Sequence, residues 1–181
     1  RAGSFTHRYH CALISASMTG LLVACTSAAT TPINNERKDL FMAQSVIFQP
    51  VIAMLILTGI VWLVMFIRRL AFLGKNKIDA QQLKTPSQVA ALIPDEVAAP
   101  GHNFKNLFEV PVVFYVICIA AFELGKVDGL LLNCAWAFVV LRIIHSLVHC
   151  TYNRVNHRFV AYLGSSILLW VMVVKVALAV F

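Results

Sequence analysis

Residues 142–158 read RIIHSLVHCTYNRVNHR, three arginines and three histidines wedged between two very apolar runs. Arg142, His145 and His149 recur at spacings of three and four, so on a helix they fall on one face. Arginine stays charged when partly dehydrated and can seat an anion, while imidazole donates and accepts protons near neutrality. Asn153, Arg154 and Arg158 follow. A second group, His102, Asn106 and Glu109, has spacings of four and three and shares another stripe. Pro111 follows it and frees a backbone carbonyl nearby. An ionisable group inside a membrane helix costs several kcal/mol unless paired or hydrated, so each of these is a functional candidate, and Arg142 and Glu109 are expected partners across the fold.

Blander explanations cover part of this pattern. One buried ion pair can simply pin the register of a bundle, although that leaves Asn106 and His102 on the stripe unexplained. Interfacial anchoring accounts for Arg154 and Asn156 but not for Arg142, about two turns deeper. A metal site is the weakest alternative. His145 and His149 could share an ion, but Cys150 points about 100° away on a helix and no acidic residue completes an HExxH pattern. No metal is expected.

The elements that must carry these residues belong to a membrane. The chain of 181 residues is 60% hydrophobic and 13% charged, beyond what a soluble core of this size hides. Its net charge of +7 clusters beside apolar segments, which points to membrane topology and away from nucleic acid. The five cysteines form no CxxC pair, and no disulfide framework is expected. Residues 46–67 run uncharged for the length of a membrane span and stop at Arg68 and Arg69. Residues 70–101, with Pro86, Pro94 and Pro100, read as a loop with room for a short helix around 79–92. Further spans are expected at about 104–124, 129–152 and 158–181. Lys175 lies near enough to the end of the last one to snorkel to the interface. The fold class is all-α, a polytopic membrane four-helix bundle over residues 42–181.

The loops after the first and third spans carry most of the basic residues, so that side is expected to be cytoplasmic, with both termini opposite. Residues 1–41 form an N-terminal extension. LVAC, ending at Cys25, has the look of a lipoprotein cleavage box, but sequence upstream of a start at Met42 is the preferred explanation. No chemistry is expected there.

The sequence NLFEVPVVFY, the run RIIHSLVH followed by Arg158, and RRLAF at 68–72 carry a resemblance. The chain resembles the MAPEG family, the membrane-associated proteins of eicosanoid and glutathione metabolism, over about residues 44–181, and most of all its small bacterial members. The resemblance implies a homotrimer in the bacterial inner membrane with glutathione as co-substrate, bound between protomers near the cytoplasmic side. Asn106 and Glu109 match the family's glutathione-binding pair, and His102 stands where an arginine is common. Arg142 and His145 match binding or scaffold positions. Arg158 matches the rim arginine held to stabilise the thiolate, and Arg69 a second candidate. His149 replaces a tyrosine of the eicosanoid branches and Phe159 replaces a serine. These departures argue against eicosanoid synthesis and leave glutathione binding intact.

The activity implied is transfer of glutathione to, or reduction by it of, a lipophilic electrophile drawn from membrane lipid. A non-catalytic trimer of the same fold, or a small transporter or proton relay built on Glu109, His145 and His149, remain the alternatives at this point.

Overall fold

The computed structural model describes residues 35–181, and the lipoprotein-like segment around Cys25 lies outside them. Among the described residues there are helices and turns and no strand. Residues 35–45 are helical, and the unit that carries everything below runs from Gln44 to Phe181.

Helix α1 spans Phe48–Asn76, with Pro50 in its first turn, where a missing N–H costs nothing. It does not stop at Arg68 and Arg69. Charged side chains past the lipid boundary are no obstacle to a helix, and α1 ends at Lys77, which takes the left-handed backbone, φ 53°, that closes helices. The stretch read as a loop is also largely helical. A short 3-10 turn, Ala80–Leu83, precedes α2, Pro86–Leu92, which starts on a capping box between Thr85 and Gln88 with proline in its first turn. Helix α3, Asp95–Asn106, begins well before the predicted second span and contains Pro100.

That second span is broken. A turn at Leu107–Glu109 separates α3 from α4, Val110–Glu123. Pro111 cannot donate to the carbonyl four residues back, so the helix restarts one turn on. Helix α5, Gly129–Cys150, opens on Asp128, whose carboxylate accepts from the Leu131 N–H at 2.9 Å. Helix α6 spans Val155–Ala177. Linkers of a few residues force α4, α5 and α6 to run back and forth, and α5 and α6 pack together most extensively.

Four helical stretches are long and apolar enough to cross a membrane. Their inward stripes recur at helical spacing: Val51, Met54 and Val61 on α1; Phe114, Cys118 and Ala121 on α4; Leu169, Met172 and Val176 on α6. Large apolar side chains also point outward, among them Ile56, Ile60, Val116, Ile167 and Trp170. In water such a surface would drive aggregation; against hydrocarbon it is the solvated face.

Candidate functional site

One face of α5 changes character partway along. From Leu131 through Ala135 and Phe138 it is apolar, and one turn later the same buried face continues as Arg142, His145 and His149. Arg142 is 0% exposed, and none of its three guanidinium nitrogens has a hydrogen-bond partner. It rests between aromatic rings, 5.3 Å from the Phe138 centroid and 4.9 Å from that of Tyr162 on α6. Aromatic faces offset part of the cost of dehydrating a cation. They supply no counter-charge.

The two histidines are oriented by Arg158, in the first turn of α6. His145 Nδ1 lies 2.9 Å from the Arg158 carbonyl, which can only accept, so Nδ1–H donates. Arg158 Nη1 lies 3.1 Å from His149 Nε2, and because a guanidinium can only donate, that nitrogen is the acceptor. His149 therefore carries its proton on Nδ1. His145 Nε2 and His149 Nδ1 are both buried and without a partner. The rings meet edge to face, centroids 5.5 Å apart. The cluster thus holds a buried guanidinium, one orphan imidazole lone pair and one orphan N–H.

Arg158 is itself held at the rim, Nη1 donating to Asn153 Oδ1 at 2.6 Å. Asn153 and Tyr162 were not among the residues singled out for binding. Tyr162 lies four residues after Arg158 on one helical face, a signal the sequence does contain. Asn153 is recognisable only once the turn between α5 and α6 is known.

The α3 group is placed differently. His102 and Glu109 are exposed and Asn106 is partly exposed. The break at Leu107–Glu109 takes Glu109 off the stripe that an unbroken helix would give. The expected ion pair between Glu109 and Arg142 is not formed within the chain. Among the described residues the single ion pair is Asp128 with Lys175. Buried Asn103, next to His102, ties α3 to α5: Ser146 Oγ donates to its Oδ1 at 3.5 Å, and its Nδ2 approaches Cys150 Sγ at 3.5 Å. Of the two arginines on α1 it is Arg68, not Arg69, that reaches α5, Nη1 donating to the Cys150 carbonyl at 2.9 Å. Arg69 sits about 100° round the helix and joins no hydrogen bond.

Two cavities border the same end of α5, and neither is lined by Arg142, His145, His149 or Arg158. A polar cleft of about 530 Å³ opens at the rim beside Arg68, Asp95, Thr151 and Asn153. An apolar groove of about 540 Å³ runs between α1 and α5, past Ile56, Ile60, Val61, Ile143 and Leu147, and ends at Arg68 and Cys150. Among the described residues no group of three His, Cys, Asp or Glu converges as a metal site would require.

Fold and site define an integral, multi-pass membrane protein, a helical bundle with an unanswered cation buried between two of its spans. The sequence model of the MAPEG family matches residues 47–178, most of the chain, and the protein belongs to that family. No curated protein and no solved structure matches it.

Proposed function

We propose that this protein is a glutathione-dependent membrane transferase or peroxidase, working as a homotrimer with glutathione bound between protomers. The observation that carries this reading is Arg142, fully buried with no partner on any guanidinium nitrogen. An uncompensated charge at membrane depth costs several kcal/mol, so the site is built for an anion that arrives. A carboxylate of the tripeptide would take Arg142 and the His149 N–H. The exposed Asn106 and Glu109 of a neighbouring copy would take its amino group, with His102 beside them.

Arg158 supports the chemistry. A free thiol with a pKa of about 8.5 is only ~3% thiolate at pH 7. A guanidinium within a few ångströms lowers that pKa by roughly 1–3 units and makes the nucleophile the major form. The lone pair on His145 Nε2 can receive the thiol proton. The thiolate then attacks an electrophilic carbon and displaces its leaving group, or attacks the terminal oxygen of a hydroperoxide and breaks the O–O bond, leaving glutathione sulfenic acid and an alkoxide that takes the proton back from His145 and departs as the alcohol. The apolar groove beside α1 is open to a lipophilic substrate entering from the bilayer. The basic loops support a cytoplasmic position for this end. Arg69, which joins no hydrogen bond or ion pair among the described residues, is available to a neighbouring copy.

Calorimetric titration of the purified protein with glutathione should show saturable binding, and the bound thiol should show ultraviolet thiolate absorbance. Arg158→Ala should lose the thiolate signal and turnover while sparing binding; Arg69→Ala tests the second candidate. If neither Arg158→Ala nor Glu109→Gln changes turnover with chlorodinitrobenzene, the site is wrongly assigned.

A further inference from the structure

Asn153 does more than close α5. It has φ 48°, in the left-handed region that few residues other than glycine adopt, and its N–H donates to the Val148 carbonyl at 2.8 Å. Glycine and asparagine both suit that backbone, so the turn alone does not decide between them. What asparagine adds is Oδ1, which accepts from Arg158 Nη1 at 2.6 Å. The same nitrogen donates to His149 Nε2 at 3.1 Å. An arginine in the first turn of a helix faces the positive end of the dipole and ordinarily extends toward water. Here one nitrogen is held on both sides, and Nη2 and Nε have no hydrogen-bond partner among the described residues.

We propose that Asn153 is a positioning residue, whose Oδ1 clamps the Arg158 guanidinium against His149 so that its two free nitrogens face the reacting sulfur. The inference rests on the reading of Arg158 as the cation that stabilises the thiolate. Displacement of such a group by about 1 Å is enough to cost roughly a hundredfold in rate, and without Oδ1 the side chain can swing to the rim cleft.

Asn153→Gly tests this in the full-length protein, because it keeps the left-handed turn and removes only the acceptor. The thermal unfolding midpoint should hold or rise. The turnover number with chlorodinitrobenzene should fall roughly ten- to hundredfold, with the half-saturating glutathione concentration changed less than about twofold. The rate–pH curve should move about one unit alkaline, since a displaced cation stabilises thiolate less. In an Arg158→Ala background the same change should add nothing, because Asn153 acts only through Arg158. An unaltered turnover and pH profile, or a further loss in the Arg158→Ala background, overturns the clamp while leaving the wider reading standing. Full activity in Arg158→Ala itself overturns both.

Discussion

Where α5 begins, Asp128 meets Lys175 at 2.7 Å, caps the Leu131 N–H, and neighbours Val127, whose N–H and carbonyl are both taken by Gln44. Where α5 ends, Arg142, His145 and His149 leave five buried nitrogens without partners. The same helix is closed at one end and open at the other. Polar groups answered within the chain hold the spans in register; those left over are addressed to something outside it. Buried polar atoms are nearly always satisfied in folded proteins, so five orphans on one face mark function more firmly than the presence of charge alone.

The comparison breaks most visibly at Arg142. Arg142→Met keeps the bulk and removes the stranded charge, so the unliganded protein in detergent should gain about 1–4 kcal/mol of stability. Glutathione affinity should fall roughly a hundredfold. Unfolding curves and calorimetry on the same preparation read the two opposed effects. A loss of stability instead would mean that a carboxylate already answers Arg142 in the assembled protein. Glu109→Gln should weaken glutathione binding roughly tenfold with stability changed by less than about 0.5 kcal/mol, because Glu109 is exposed and makes no ion pair among the described residues.

The closed end should respond least. Lys175→Ala removes an exposed ion pair and should cost less than about 1 kcal/mol, with turnover unchanged. The Lys175 ammonium, helped by the Leu131 N–H, holds the Asp128 carboxyl below its ordinary value of 3.8. A depressed carboxylate contributes stability above its ordinary pKa and loses it as pH falls through the folded one. The difference between wild type and Lys175→Ala in unfolding midpoint should therefore close below about pH 4.

Apolar runs made the four spans legible, and the i, i+3, i+7 spacing placed Arg142, His145 and His149 on one buried face before any coordinates. The helix ends were not legible. Arg68 and Arg69 mark where lipid ends, which is not where the backbone stops being helical. The short helix expected around 79–92 is there, starting on the Thr85–Gln88 capping box, but the helix that opens at Asp95 behind Pro94 is not anticipated, although proline at a helix start is as natural as proline in a loop. Pro111 announced trouble in the second span. Its consequence, a full turn between Asn106 and Glu109, needed the structure, and with it went the expected pairing of Glu109 with Arg142. The link from Arg158 to Asn153 depends on a left-handed backbone at one asparagine, which periodicity does not encode.

Below Arg142 the polar stripe ends. Phe138 lies flat against Phe114 from the neighbouring span, ring centroids 4.4 Å apart and planes 11° from parallel, both rings wholly buried. The polar stripe of α5 therefore stands on an oily floor, and any relay running further down this helix would have to pass two stacked, wholly buried rings.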